Sequence, residues 1–135
     1  MLDSTVVIGA ERQGWTVRDL LQHVTSRVGE TEAVISAVSA VKRIHGIWRA
    51  KTAEAMERRR EFLKKILSAA PVEPITLETA RIAGKIDAEA KSQGIIIPFA
   101  DLLIGASALE LGYAVGTANL RHFRLIPGHD MKRIL

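Results

Sequence analysis

Hydrophobic positions fall along this chain in short β-branched clusters that alternate with longer stretches of helical spacing. Gly94–Ala108, GIIIPFADLLIGASA, shows both halves of the pattern. Ile95, Ile96 and Ile97, bounded by Gly94 and Pro98, predict a brief extended segment leading into a turn. From Ala100 onward, Leu102, Leu103, Ala106, Leu109 and Leu111 predict a helix buried over much of its circumference. Asp101 sits where that helix should begin. It reads either as an N-terminal cap, facing the positive end of the helix dipole, or as a functional acid.

The rest of the chain repeats the alternation. In Met1–Ala10, MLDSTVVIGA, either Leu2–Asp3 ends a strand and Thr5–Arg12 turns helical, or Leu2–Ile8 is a strand throughout. The first reading is preferred, because an acid inside a buried strand is costly without a partner. It leaves two residues before Asp3, where a central strand usually has about five. A few residues upstream of Met1 are therefore expected to be missing. Thr16–Val28 predicts an amphipathic helix capped by Thr16. Gly29–Glu32 predicts a turn, and Ala33–Ile35 a short strand. Ser36–Trp48 predicts a helix starting at Ser36 or Ser39, with Ala40, Val41, Ile44 and Ile47 toward the core. His45 within it is read as structural or surface.

Lys51–Ala70 predicts a long helix with a stripe of Met56, Phe62, Leu63, Ile66 and Leu67, ended by Pro71. Its run of Arg58, Arg59, Arg60, Lys64 and Lys65 is first of all a solvated face. Val72–Ile75 is edge-like because of its proline. Thr76–Gln93 predicts a helix with Leu77, Ala80, Ile82, Ala83, Ile86 and Ala90 inward, Asp87 as a surface ion-pair acid and Gly94 as the terminating residue. Tyr113–Thr117 is a buried-strand candidate, Ala118–Phe123 a loop, and His129–Leu135 a basic C-terminus.

Strands alternating with helices predict a parallel sheet covered on both faces. Sites in such sheets lie outside the carboxyl ends of the strands. Asp3, Asp101 and Thr117–Asn119 each follow a strand candidate, so three distant segments converge on one edge.

Composition narrows the chemistry. A chain of 135 residues that is 47% hydrophobic can form a full core as one domain, 1–135, without metal or disulfide staples. The absence of cysteine excludes disulfides and thiolate zinc sites and suits a cytoplasmic protein. There is no signal-peptide layout and no apolar run near the ~20 residues of a membrane span. A net charge of +4 is compatible with a nucleic-acid partner without requiring one.

LDSTVVI near the start, HGIWRAK in the middle, IPFADLLIGASAL, and the final TANLRHFRLIPG together resemble the PIN-domain ribonucleases, in particular the VapC-type toxins of toxin–antitoxin pairs. The likeness runs the length of the chain in the same order. It implies an α/β/α sandwich with a short parallel sheet, and a cluster of acids that holds Mg²⁺ or Mn²⁺ and cuts RNA. It also implies a cognate antitoxin that inhibits the site and a homodimer. By the resemblance, Asp3 and Asp101 are catalytic metal ligands. Thr5 stands where the family has a small polar residue, and Thr117 and Asn119 match its last polar pair. Asn119 or Thr117 would orient water or phosphate. Arg121, Arg124 and the Arg58–Lys65 segment are candidates for RNA backbone contacts.

One position departs from the pattern. The family's second acid is a Glu three residues before the His-Gly of HGIWRAK, and Lys42 stands there, followed by Arg43. A lysine at that place would neutralise the acids and repel a divalent ion, by roughly 2 to 7 kcal/mol at ~5 Å before screening. Weak metal affinity and low activity are expected. Lys42 is read either as an inactivating change or as natural divergence. Two rivals follow: an inactive PIN-fold module that binds its antitoxin, or an unrelated α/β domain in which both acids are only caps.

Overall fold

The structure, a computed structural model, describes residues 1–128 and 130–135. His129, the first residue of the expected basic C-terminus, lies outside them. Among the described residues the elements run α1 (Ser4–Arg12), α2 (Val17–Val28), β1 (Ile35–Ser36), α3 (Ala37–Trp48), α4 (Ala53–Ala69), β2 (Val72–Glu73), α5 (Leu77–Ser92), α6 (Phe99–Leu111), β3 (Val115–Thr117), α7 (Leu120–Phe123) and β4 (Met131–Arg133).

The strands are parallel: β1 pairs with β2 and β3 with β4. Leu2 joins the two pairs through parallel bridges to Ile35 and Gly116. A backbone bond from Leu2 N–H to Val34 C=O, and one from Asp3 N–H to Gly116 C=O, close the gap. The spatial order is therefore β2, β1, Leu2, β3, β4, and one residue does the work of a central strand. Met1, Val34 and Val115 pack on one face with α5, α6 and α7, while Leu2, Ile35 and Ile134 pack on the other with α1, α2 and α4. That is the alternation of a pleated strand buried on both sides. It gives the three-layer α/β/α sandwich. Among the described residues no helix is long and apolar enough to cross a membrane.

Local signals place most helix ends. Thr16 and Asp19 form a capping box on α2, Ser36 caps α3, Thr52 caps α4, and Thr76 with Thr79 caps α5. Gly112 ends α6 in the left-handed region at φ 71°, which favours glycine. Asp87 pairs with Lys91 at 2.9 Å, as a surface acid.

Several expectations are corrected. Ile95–Ile97 forms no strand. Ile97 alone is buried, while Ile96 stands in solvent, because no neighbouring strand offers that backbone a ladder. Ala118–Phe123 is not wholly a loop, since its second half winds into α7. The C-terminus adds β4, which the polar run Met131–Arg133 conceals because its side chains are not deeply buried. In α5, Leu77 and Ala80 face outward and Thr79, Ala83, Ile86 and Ala90 inward. In α4, Leu67 is exposed.

The largest correction is the phase of α3. Its buried residues are Ser39, Arg43 and Ile47, and Val41 and Ile44 are exposed. Arg43 pairs with Glu11 of α1, and its guanidinium lies over the Phe62 ring of α4 at 5.8 Å. A charged residue enters a core when it is paired and its stem packs, and Arg43 meets both conditions.

Candidate active site

Asp3 directly follows Leu2 and opens α1, so the sheet delivers its carboxylate to the carboxyl edge. It is 1% exposed. It stands at the N-cap position of α1 yet makes no side-chain cap bond. Instead its Oδ2 accepts from Thr5 Oγ1 at 2.7 Å and from Thr117 Oγ1 at 3.0 Å. Thr117 ends β3, 114 positions away in the chain. Among the described residues the remaining oxygen, Oδ1, accepts only a long 3.4 Å contact from Ser4 Oγ.

Thr5 and Thr117 each serve more than one bond. Thr5 Oγ1 also accepts from Ala118 N–H at 3.2 Å, tying the first turn of α1 to the loop after β3. Thr117 Oγ1 accepts from Asn119 N–H at 2.9 Å, which directs the chain into α7. The amide nitrogen of Asn119 then lies 3.5 Å from His122 Nδ1, one turn on.

Asp101 is the third residue of α6, past the N-cap position held by Pro98, and α6 has no side-chain cap bond. Its Oδ2 lies 2.7 Å from His122 Nδ1. A carboxylate can only accept, so Nδ1 is the protonated ring nitrogen in this pair. Among the described residues Oδ1 of Asp101 has no hydrogen-bond partner. Hydrogen bonds thus link Asp3 to Thr117 and on to the Asn119 backbone, and His122 to Asp101. With Nδ1 protonated, the 3.5 Å approach of the Asn119 amide nitrogen brings two donors together and is a packing contact between the two groups. Asp3 at the N-cap position of α1 and Asp101 in the first turn of α6 both sit where aligned peptide dipoles favour negative charge. Neither is spent on capping. The reading in which both acids are only caps fails on that geometry.

The sequence-predicted residues fare differently. Asp3, Thr5, Thr117 and Asn119 fall within one hydrogen-bond network, and the Asp101–His122 pair lies against it where Asn119 approaches His122. Arg121 projects into solvent from α7 beside His122, and no hydrogen bond or ion pair holds it among the described residues. Lys42 is exposed on α3 and pairs with neither Asp3 nor Asp101. The expected tethered cation between the acids is therefore absent. It lies instead on a separate cleft with Ile8, Glu11, Arg12, Arg43 and Arg58. His122 was visible in the sequence without a role, and its spacing of three from Asn119 was the available signal.

The donors fit a hard divalent cation in kind. Each carboxylate keeps one oxygen free of a short hydrogen bond, and the Asn119 amide adds a neutral oxygen. Mg²⁺ ordinarily takes one or two protein carboxylates and fills its shell with water and phosphate oxygens. Among the described residues no group of three or more His, Cys, Asp or Glu is placed to hold a metal. Any such site is sparse.

The fold has close structural relatives. A VapBC2 complex from Rickettsia felis, bound to a DNA fragment from its promoter, superposes with a TM-score of 0.83 at 20% identity, covering 97% of this chain and 95% of that one. A DNA-bound VapBC from Salmonella typhimurium gives 0.80 at 27% identity, covering 97% and 94%. FitAcB from Neisseria gonorrhoeae gives 0.82 at 22% identity, covering 98% and 95%. Comparison of the sequence with curated proteins finds no match. The PIN domain model matches residues 1–127, nearly the whole length over which the sheet and the two acids are built, and the chain belongs to the PIN domain family.

Proposed function

We propose that this chain is the toxin half of a VapBC-like toxin–antitoxin pair: a metal-dependent endoribonuclease whose acidic site is weakened because Lys42 stands where a third carboxylate is expected. The observation that carries it is that two acids distant in the chain, neither spent on capping its helix, are each braced by a side chain from the segment after β3 or its last residue: Asp3 by Thr117 and Asp101 by His122. The relatives named above are toxin–antitoxin complexes, one of them 27% identical over nearly its whole length. They support a cognate antitoxin as partner. The resemblance adds an RNA substrate, a homodimer and a cytoplasmic setting.

Asp3 and Asp101, with the Asn119 amide oxygen, would hold Mg²⁺ or Mn²⁺. When bound, such an ion polarises a phosphate oxygen and acidifies a bound water. The protein's own contribution is positioning. Thr5 and Thr117 commit their hydroxyl hydrogens to Asp3 Oδ2, which leaves Oδ1 free of a short hydrogen bond. These two threonines are braces in this reading rather than direct substrate contacts. His122 does the same for Asp101. Asn119, whose backbone bonds to Thr117 and whose amide lies against His122, is suited to orient a water or a phosphate oxygen. Arg121 and Arg124, exposed beside it, are placed for phosphate contacts.

The test is RNA cleavage in Mg²⁺ or Mn²⁺ by this chain and by Lys42→Glu, together with calorimetric metal titration of both. Cleavage by this chain that is lost in Asp101→Asn, with a metal affinity, measured without RNA, that rises in Lys42→Glu, supports the reading. A second reading, an inert PIN module that still binds an antitoxin, is favoured by the lack of a three-residue ligand cluster. Two proteins that cleave nothing yet bind the antitoxin firmly would establish it.

A further inference from the structure

We infer that Lys42 belongs to a phosphate-binding cleft that holds the backbone of a single-stranded RNA beside the acidic site. The cleft has a volume of about 310 Å³ and is formed where α1, α3 and α4 meet. Its lining includes Arg12, Lys42, Arg43, Arg58 and Arg59 against a single acid, Glu11.

The charges divide into two sets. Glu11 is consumed by Arg43, and Arg59 donates to the Gly46 carbonyl. Arg43 still keeps a buried Nε without an acceptor. Arg12, Lys42 and Arg58 are exposed and make no ion pair or hydrogen bond among the described residues. Three uncompensated cations from three helices therefore surround one concavity. Like charges held together cost free energy unless an anion joins them, and phosphodiester oxygens are the anion that a nuclease fold meets.

Position strengthens the assignment. Ile8 and Glu11 on the cleft wall lie in the same helix that Asp3 opens. At 1.5 Å per residue they stand about 8 to 12 Å along its axis from Asp3. A strand whose cut phosphate sits at the acids would lay a neighbouring phosphate into the cleft. The position that lacks a metal-ligating carboxylate would then supply a phosphate cation instead. RNA as the occupant rests on the nuclease reading; the cleft and its charges do not.

The experiment is anisotropy of a labelled single-stranded RNA in EDTA, across a salt series, so that nothing is cut. Lys42→Ala, Arg12→Ala and Arg58→Ala are compared with Lys85→Ala, an exposed lysine of α5 away from the cleft. All four sites are on the surface, and a thermal melt of each checks folding. Each cleft variant should bind several-fold more weakly and lower the log–log salt slope by about 0.7, while Lys85→Ala behaves as the parent. Unchanged slopes in the cleft variants, or an equal fall in Lys85→Ala, overturn the inference. Tighter binding of duplex DNA at matched salt overturns the choice of single-stranded RNA. Cleavage of RNA by a parent whose cleft variants bind normally sinks the cleft alone. Cleft-dependent binding with no cleavage in any metal sinks the nuclease reading alone.

Discussion

Replacing Thr117 with valine removes one hydroxyl and keeps the shape. That hydroxyl is fully buried, donates to Asp3 Oδ2 at 3.0 Å and accepts from Asn119 N–H at 2.9 Å. Losing a hydrogen bond to a buried carboxylate costs about 1.5–3 kcal/mol, and leaving a half-buried N–H without its acceptor adds about 1 kcal/mol. Burying a methyl in place of a hydroxyl returns about 1 kcal/mol. The net loss is about 2 kcal/mol, or a fall in melting temperature of roughly 6–10 °C for a chain of this size. Urea unfolding of the parent, Thr117→Val, Asp3→Asn and the double variant gives the coupling between the two side chains, expected at about 1.5 kcal/mol or more. The same preparations titrated with Mn²⁺ should show weaker binding in Thr117→Val, because Asp3 Oδ1 is no longer held in place. A coupling below about 0.5 kcal/mol would refute the view that Thr117 braces Asp3.

Other consequences follow from single contacts. Glu11→Ala leaves the Arg43 charge buried over Phe62 and should destabilise by about 3 kcal/mol in denaturant titration, whereas Arg43→Met with Glu11→Gln should be close to neutral. Gly116→Ala places a Cβ 2.9 Å from Ile134 and 3.0 Å from Leu2, so it should cost about 1–3 kcal/mol by crowding the centre of the sheet. Asp19 has its carboxyl held below the usual range by the Thr16 backbone N–H, then by the Thr16 hydroxyl. A depressed folded-state pKa stabilises above the unfolded value, and that stability disappears as pH falls through the folded value. Asp19→Asn, which removes the titrating carboxyl, should therefore flatten the acid limb of a pH–stability curve, and an unaltered limb would count against the capping box.

Much of the fold is written in local spacing, because caps and turn residues act within one helical turn. Thr16, Ser36, Thr76 and Gly94 mark helix ends in the sequence and do so in the structure. The acids Asp3 and Asp101 stand out for the same reason: each is a lone charge at the end of an apolar run. The face that a helix buries is not local in this sense. On α3 the apolar residues predict one face, and the structure buries another, because Arg43 finds Glu11 and Phe62 on elements that the spacing cannot see.

By itself the sequence determined the six longer helices, the parallel α/β class and the two acids as candidates, since periodicity and capping depend on neighbours a few positions away. Only the tertiary structure decided that Leu2 alone bridges the two halves of the sheet and that β4 completes it. It alone set His122 against Asp101 and turned Lys42 toward a basic cleft rather than between the acids. Each of these joins elements distant in the chain, and the energy of such a contact depends on a partner that no local pattern encodes.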